Sequence, residues 1–212
     1  MKKITYVGLE RCDFVYHLAN ILSLQGNVLV IDNSYNLDLI DAISTTGERE
    51  IREWRNIVYV HDVDVERTDL SDYQYVLVYA GMAFEQSDFE GNAFTLVMPD
   101  YTKTSIMALA DKMPKTISNP IYIMRDNCTK KFTVKSVAQL LNMHPREITG
   151  WIDFNPIDMG SYISLTHNHY SNIKSLSDNM MDALRYVTGK VLDIEGDTKT
   201  IERVMKAAKK IK

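Results

Sequence analysis

The sequence predicts an α/β fold in which a doubly wound, mostly parallel sheet lies between two layers of helices. Short apolar runs bounded by turn residues alternate with segments of helical periodicity along the chain. The run Asn27–Asp32 is apolar throughout its middle, as strands buried on both faces are. No internal repeat and no Pro/Gly/Ser-rich linker divides the chain, so residues 1–212 are expected to form a single domain.

The individual elements follow one another in a regular order. Lys3–Val7 is an apolar first strand, and Asp13–Gln25 carries apolar residues at helical spacing up to Gly26, which ends the helix. Later apolar runs are entered from polar turns and predict strands, with helical periodicity between them. The remaining predicted strands are Asn27–Asp32, Asn56–Val60, Asp72–Tyr79, Ala93–Met98, Pro120–Met124 and Ile148–Phe154. The remaining predicted helices are Asn36–Ser44, Lys103–Lys112, Val134–Leu141, Ser171–Thr188 and Lys199–Ile211.

The composition is that of an ordinary globular protein, with 45% apolar and 25% charged residues. No apolar run approaches the roughly 18 residues that a membrane-spanning helix needs. The N-terminus lacks the apolar stretch and cleavage site of a secretory signal. The two cysteines, Cys12 and Cys128, form neither a disulfide framework nor a metal motif. These features predict a cytoplasmic location.

Charge is unevenly distributed. Residues 1–100 contain 7 Lys/Arg and 17 Asp/Glu, a net charge of −10, whereas residues 101–212 contain 17 Lys/Arg and 11 Asp/Glu, a net charge of +6. Residues 198–211 predict a basic amphipathic helix, with apolar residues on one side and lysines on the others. This helix can dock on the sheet, lie on a membrane surface or contact nucleic acid, and the sequence leaves the three open.

Ligands of doubly wound sheets bind at the carboxyl ends of the strands. The residues just after each predicted strand are therefore the candidates for a site. These segments are Gly8–Asp13, Asp32–Ser34, Tyr79–Gly81, Pro99–Tyr101 and Asn155–Asp158.

A family resemblance runs along most of the chain. His17-Leu-Ala, Gly26 and Val28-Leu-Val-Ile-Asp32 resemble the first helix and second strand of the MinD/ParA family, the deviant Walker A (SIMIBI) group of P-loop ATPases. Leu70–Tyr79 is similar to the Walker B strand of that family, and Ile148–Asp158 to its late Gly-x-Ile-Pro-x-Asp segment. The resemblance implies a P-loop NTPase-like α/β/α fold.

The family's phosphate loop, Lys-Gly-Gly-Val-Gly-Lys-Thr-Thr, falls on Tyr6–Asp13 in this alignment. Such a loop presents backbone N–H groups to phosphates, its lysines neutralise them and its first Thr holds Mg²⁺. Only Gly8 remains of the three glycines, and Tyr6 replaces the first lysine. Arg11 keeps the charge of the second lysine, but Cys12 replaces the metal-binding Thr, and a thiol is a poor ligand for Mg²⁺.

Acidic residues in and near the loop argue further against the binding of a nucleotide. Glu10 and Asp13 add carboxylates to the loop, and two unit charges about 4 Å apart interact by about 4 kcal/mol at an effective dielectric constant near 20. Tyr79 stands where the Walker B strand carries Asp, and Ser34 replaces the second acid beside the retained Asp32. The resemblance thus implies a remnant nucleotide site of Gly8, Arg11 and Asp32, with ATPase activity absent or very weak, no cofactor, and no catalytic or metal-binding residue.

Three functions compete on these grounds. The first is a non-catalytic scaffold or positioning adaptor for a bacterial machine such as pilus or secretion assembly or partitioning, with TadZ/CpaE-like proteins as the nearest analogy. The second is an ATP-binding switch, in which Arg11 substitutes for lysine and Asp32 holds a metal-bound water. The third is a DNA- or membrane-surface-binding module that uses the basic C-terminal half, since MinD-like proteins can end in a membrane-surface helix. A protein partner is expected, a homodimer and peripheral contact with the inner face of the membrane remain open, and the partner's identity is not encoded in any motif.

Other polar groups have simpler explanations. Asp13 is expected to be the N-cap of the first helix. His167 and His169 lie in a polar stretch that predicts a loop without a third metal ligand. The alternating acids and valines of 62–66 predict an exposed strand end or loop.

Overall fold

A single mixed sheet with helices on both faces forms the framework of the protein, as the sequence predicts. The computed structural model describes residues 1–43, 52–54, 56–61, 63, 68–128 and 133–211. The strands are β1 (Lys2–Gly8), β2 (Val28–Asp32), β3 (Arg52–Trp54), β4 (Ile57–His61), β5 (Tyr75–Gly81), β6 (Asn92–Met98), β7 (Pro120–Asn127) and β8 (Ile148–Asp153). The helices are α1 (Asp13–Leu22), α2 (Asp38–Ile43), α3 (Lys103–Lys112), α4 (Val134–Leu140), α5 (Pro156–Asn168), α6 (Asp178–Val191) and α7 (Thr198–Ala208).

The order of the strands places β1 near the middle of the sheet. Within the described ranges the eight strands are arranged β3-β4-β2-β5-β1-β6-β7-β8, and every neighbouring pair is parallel except β3 with β4. The chain builds the half containing β2 to β5 on one side of β1 and the half containing β6 to β8 on the other. The strand order therefore reverses at β1, and the carboxyl ends of β5, β1 and β6 border the crevice where this architecture places a ligand.

Side chains alternate between the two faces of the sheet and pack in two hydrophobic cores, one on each face. In β1, Ile4 and Tyr6 pack in the cluster that contains the apolar side of α1, whereas Val7 packs in the cluster that contains Leu109 of α3. Side chains of a strand point alternately to its two faces, so a strand covered on both faces needs apolar residues at almost every position. This explains why β1 and β2 are continuous apolar runs in the sequence.

Two elements were not predicted, and a third begins later than predicted. The short edge strand β3 was not predicted, and neither was α5, which begins after Asn155 caps the N–H of Ile157 (2.9 Å) and whose last three residues alone fall in the polar stretch predicted as a loop. α5 escaped prediction because its pattern is inverted: Ile157 and Ile163 are 56% and 49% exposed, while Asp158 is buried. The helix predicted over Ser171–Thr188 begins at Asp178, as α6. The run 62–66, apart from Val63, lies outside the described residues.

The basic C-terminal helix docks on the rest of the protein. α7 buries Ile201, Val204, Met205 and Ala208 and contacts α1 and α6. Its lysines remain exposed on the outer side. Of the three arrangements that the sequence leaves open, docking is the one that the structure contains. No helix in the described ranges has the length and apolar character to cross a membrane.

Candidate functional site

The turn between β1 and α1 is much shorter than the sequence alignment implies. Tyr6, Val7 and Gly8 continue β1, and Asp13 is already the first residue of α1. Only Leu9–Cys12 connects the two elements. Of the eight residues that the resemblance places on the phosphate loop, the structure therefore has three in β1, four in the turn and one in α1, and the turn lies at the expected place in the crevice.

The backbone N–H groups of this turn bond to the protein itself. The N–H of Leu9 donates to the carbonyl of Met98 on β6 (2.8 Å), and the N–H of Arg11 donates to the carbonyl of Leu9 (2.9 Å). The N–H of Cys12 donates to the Asp38 carboxylate at the start of α2 (3.2 Å). In a phosphate loop such groups face the phosphates. Here a carboxylate of the chain accepts the hydrogen bond that a phosphate oxygen would accept.

Gly8, the first predicted site residue, is explained by backbone packing. Its φ is +120°, and a Cβ at this position would lie 2.3 Å from the carbonyl oxygen of Met98. Only glycine permits this close approach of β1 to β6. A requirement for glycine therefore arises from packing inside the sheet.

Arg11, the second predicted site residue, belongs to a buried ion cluster with Asp13, Arg125 and Asp126. Arg125 donates to both carboxylate oxygens of Asp13 (2.7 and 2.5 Å), and Arg11 donates to Asp13 (3.0 Å) and to Asp126. The side chains of Arg125 and Asp13 have no exposed area. The Arg11 guanidinium also lies over the ring of Tyr162, 5.0 Å from its centroid. The charge that the sequence offers to a phosphate is thus shared by two carboxylates of the protein.

Electrostatics in the cluster favour the ionised state of Asp13. Burial by itself raises the pKa of this carboxyl, but Arg125 and Arg11 outweigh burial and hold the pKa below its ordinary value. Asp13 is the first residue of α1 and Cys12 is the N-cap, without a side-chain capping bond, so the predicted capping role of Asp13 is wrong. Arg125 and Asp126 were not predicted as site residues. Their signal was a charged pair directly after the apolar run of β7.

Glu10 spans the mouth of the crevice. One carboxylate oxygen accepts from the side-chain amide of Asn36, after β2 (2.7 Å), and the other accepts from the N–H of Met82, after β5 (3.3 Å). The glycine at the end of β5 accommodates this side chain, because a Cβ on Gly81 would lie 2.8 Å from Cγ of Glu10. The carboxylate therefore joins two neighbouring turns across the place where a pyrophosphate would need positive charge.

Asp32, the third predicted site residue, acts as a structural acceptor. Its oxygens accept from the hydroxyl (2.6 Å) and N–H (3.1 Å) of Ser34 and from the N–H groups of Leu39 and Ile40 (both 3.0 Å). It thereby satisfies two free N–H groups in the first turn of α2. Burial raises the pKa of this carboxyl despite these bonds. Its neighbour Asp38 has a pKa raised to about 6, first by burial and then by Asp32.

Tyrosine rings fill the floor of the crevice. Tyr79 pairs in register with Tyr6 on β1 and with Asp32 on β2, and the two tyrosine rings lie 5.2 Å apart. Both are buried. Tyr79 lies two positions before the end of β5 at Gly81, so the residue in the Walker B register is part of the core. Burial and then the negative charge of Asp38 raise its pKa well above the ordinary value.

The stretch of His167 and His169, which was predicted as a loop, begins inside α5. His167 lies in the last turn of α5, and His169 follows as its left-handed C-cap and bonds through Nδ1 to the carbonyl of Ala42 (3.0 Å). In the part of the chain that the structure describes, no group of His, Cys, Asp or Glu is arranged to hold a metal ion. The residues at the crevice also do not fit Mg-ATP, because the carboxylates of Glu10 and Asp38 lie at the turn after β1 and would repel phosphates there.

Solved structures identify the fold. The chain is similar to a putative plasmid partition protein of Borrelia burgdorferi bound to AMPPNP, at 12% identity over 92% of this chain and 98% of that chain, with a TM-score of 0.61. It is similar to a chain of the MinC:MinD cell division protein complex of Aquifex aeolicus, at 17% identity over 89% and 96%, with a TM-score of 0.60. A ParA family ATPase of Chlorobium tepidum matches at 13% identity over 98% and 97%, with a TM-score of 0.58.

Sequence comparison adds no closer relative. No protein-family model matches the chain, and no curated protein matches it. The likeness to solved structures, all below 20% identity, establishes a ParA/MinD-type P-loop NTPase fold.

Proposed function

We propose that this chain, which has the ParA/MinD-type fold, does not hydrolyse ATP and acts by binding other proteins, as a scaffold or positioning adaptor for a bacterial machine such as pilus or secretion assembly or partitioning. One observation carries the proposal. The N–H groups of the turn after β1 and the positive charge of Arg11 are bonded to the chain's own carbonyl and carboxylate groups. If internal contacts occupy the groups that would bind nucleotide, the protein can still act by binding other proteins through its surface.

The energetics of nucleotide entry support this proposal. A triphosphate would have to displace Asp38 from Cys12 and draw Arg11 away from Asp13 and Asp126. Breaking a buried ion pair and leaving one charge without its partner costs about 3–5 kcal/mol. Glu10 would add repulsion at the mouth of the crevice. Neither ATP nor Mg²⁺ is therefore proposed as a cofactor.

A protein of the same fold supports the proposal that the partner is another protein. MinD forms a complex with MinC in the Aquifex structure, and by analogy we propose a protein partner for this chain, including a second copy of it. The free thiols of Cys12 and Cys128 are consistent with a reducing cytoplasm as the location.

A second candidate is contact with an anionic surface through α7. The basic residues of its outer side are exposed, whereas its apolar side is buried in the protein. Attraction to a nucleic acid or to the inner face of a membrane would therefore be electrostatic and would not involve insertion. Affinity for DNA or for anionic vesicles that falls steeply with added salt would support this candidate.

Calorimetry and thermal denaturation with Mg-ATP and Mg-AMPPNP test the main proposal. We expect neither heat of binding nor stabilisation, whereas a bound nucleotide at 100 times its dissociation constant would add about 2.7 kcal/mol to the free energy of unfolding. The variant Arg11→Ala is the critical comparison, with Arg203→Ala on α7 as its surface control. Saturable stabilisation that disappears in Arg11→Ala would overturn the proposal and establish the ATP-binding switch.

A further inference from the structure

A second hollow lies away from the crevice, beside the edge of the sheet at β3 and β4. It is a cavity of about 340 Å³ between the middle of α1, the end of α2 and the residues after α5. This volume is at the lower end of the range of roughly 300–1,000 Å³ that is typical of small-molecule sites. We call it the aromatic cavity, defined by Tyr16, Trp54, Tyr59, His169 and Tyr170.

Flat rings form most of its wall. Tyr16 and Trp54 are nearly parallel, with an interplanar angle of 17° and ring centroids 6.4 Å apart. Tyr16 and Tyr59 back the wall from the core, since each is only 1% exposed, and the partly exposed rings of Trp54, His169 and Tyr170 carry the surface that a ligand can reach. Trp54 is held by its stack on Tyr16, and offset or edge contacts between a fixed ring and the ring of a ligand are favourable. The shape and chemistry of the wall match a planar aromatic molecule.

His169 supplies a directional group. Its backbone is left-handed (φ +56°), and its Nδ1 lies 3.0 Å from the carbonyl oxygen of Ala42. A carbonyl oxygen can only accept, so Nδ1 carries the hydrogen. In the neutral ring Nε2 is then an acceptor. The matching group on a ligand is an N–H or O–H donor.

The described residues that line the cavity carry one charge of each sign, on Arg52 and Glu53. These two charges give no net preference for an anion or a cation, and the other described lining residues are aromatic or aliphatic. A neutral ligand therefore suits the site better than a phosphate or a carboxylate.

We propose that the aromatic cavity binds a small, neutral, planar heteroaromatic molecule of one or two fused rings whose ring N–H donates to Nε2 of His169. The cavity shares no residue with the ion cluster at the crevice. Binding there is independent of whether the crevice takes nucleotide, so the Mg-ATP experiment and the one below can fail separately.

Indole and benzofuran form a matched pair of probes, because an oxygen replaces the N–H in a ring system of the same shape. Two-dimensional NMR follows the side-chain N–H signals of Trp54, at the cavity, and Trp151, which packs against Ile106, Met124 and Val137 elsewhere. We expect indole to shift the Trp54 signal saturably and to leave Trp151 unchanged, with a W151F sample assigning the two signals. Benzofuran should bind about three- to tenfold more weakly, because it lacks the donor.

The variant His169→Gly removes the acceptor and tolerates the left-handed backbone. It should bind indole and benzofuran with equal affinity, whereas His167→Ala, two residues away on the exposed side of α5, should keep the preference for indole. If His169→Gly fails to fold, His169→Asn also tolerates this conformation, and its shorter side chain should likewise abolish the preference. Absence of any saturable shift of Trp54 with indole, or a preference for indole that persists without His169, would overturn the proposal.

Discussion

The crevice at the carboxyl ends of the strands and the aromatic cavity at the sheet edge differ in what occupies them. In the crevice, Arg11, Asp13 and Arg125 neutralise one another and a carboxylate of α2 bonds to the turn after β1. The aromatic cavity is walled by rings and retains about 340 Å³ of open volume. Charged groups that cannot reach water must be paired, so they close the space around them. Aromatic rings impose no such demand and can leave an opening.

The contacts in the crevice give a structural explanation for Glu10 and Asp13, the two acids that depart from the phosphate-loop pattern. Each departure from the phosphate-loop pattern has a partner within the chain: Glu10 with Asn36 and Met82, and Asp13 with two arginines. At the crevice the charged groups are bonded to other groups of the chain, whereas the aromatic cavity keeps its open volume. The following predictions test this contrast between a region of paired charges and a region of aromatic rings, from the largest expected effect to the smallest.

Replacement of Arg125 should have the largest effect. The variant Arg125→Met leaves the buried Asp13 with Arg11 alone, and we expect a loss of about 3–5 kcal/mol in the free energy of unfolding measured with urea. The matched control is Arg185→Met, which removes a partly exposed arginine paired with Asp182 and Glu202 and should cost less than about 1 kcal/mol. Equal losses in the two variants would mean that the buried cluster contributes no more to stability than a surface ion pair does.

A second experiment on Arg125 separates the contribution of its charge to stability from the contribution of its packing. The double variant Asp13→Asn/Arg125→Met removes both members of the buried pair. Because replacement of a whole buried ion pair by neutral residues is often nearly neutral, it should be more stable than Arg125→Met alone. A double variant that is less stable would assign the loss to packing around the Arg125 side chain.

The pH dependence of stability should reveal two opposing groups beside the crevice. Burial lowers the pKa of His17 to about 4, so the unfolded chain takes up a proton first and stability falls as pH decreases from 6.5 to 4. Burial and then Asp32 raise the pKa of Asp38 to about 6, so the native chain holds its proton longer and stability falls as pH increases from 3.8 to 6. Each effect is about 3 kcal/mol, at 1.36 kcal/mol per pKa unit.

These two contributions should largely cancel in the unmodified protein between pH 4 and 6.5. In Asp38→Asn the remaining contribution of His17 should make stability rise with pH over this range, by about 3 kcal/mol relative to the unmodified protein. In His17→Gln stability should fall by a similar amount. Urea unfolding at a series of pH values checks both, and slopes that do not move apart in the two variants would contradict the burial of these groups.

Substitution of Gly8 tests whether backbone packing explains its presence. In Gly8→Ala the new Cβ meets the carbonyl of Met98 at 2.3 Å and the backbone at φ +120° is strained, so we expect a loss of at least about 2 kcal/mol. Gly160→Ala, in α5 with open space around it, should instead stabilise the protein by up to about 1 kcal/mol. Chemical denaturation measures both, and the expected opposite signs make the pair decisive.

The smallest effects should come from one glutamate in each region. Glu10→Gln weakens the hydrogen bonds to Asn36 and Met82 across the crevice and should cost about 1 kcal/mol. Glu53→Gln, at the exposed edge of the aromatic cavity, should change the free energy of unfolding by less than about 0.5 kcal/mol. If Glu53→Gln is the more costly change, the cavity depends on an ionic contact and the contrast between the regions fails.

Much of the fold was predictable because its signals are local. α3 has the predicted bounds, Lys103–Lys112, and the apolar runs of β1, β2 and β6 correspond to strands shifted by a residue or two at their ends. α5 was missed because burial of Asp158 and exposure of Ile157 invert the usual helical pattern. The short strand β3 depends on pairing with β4, and nothing within its three residues encodes that pairing.

The location of the candidate site was predictable from the sequence, but only some of its residues were. Gly8, Arg11 and Asp32 lie at the crevice, as expected from strand ends in a doubly wound sheet. Their bonds, however, run to backbone groups or to distant residues. Arg125 is more than a hundred positions from Asp13 in the chain, and no periodicity or motif joins them.

The sequence by itself determined the α/β class, the order of most elements and the absence of a glycine-rich turn after the first strand, because hydrophobic periodicity and residue types can be read locally in the chain. Only the tertiary structure decided that Arg11, Asp13 and Arg125 pair at the crevice and that Asp38 bonds to the turn after β1, that α7 is docked, and that a cavity remains beside Trp54. Those features depend on which side chains the folded sheet brings together, and a buried charge is acceptable only when a partner, however remote in sequence, reaches it.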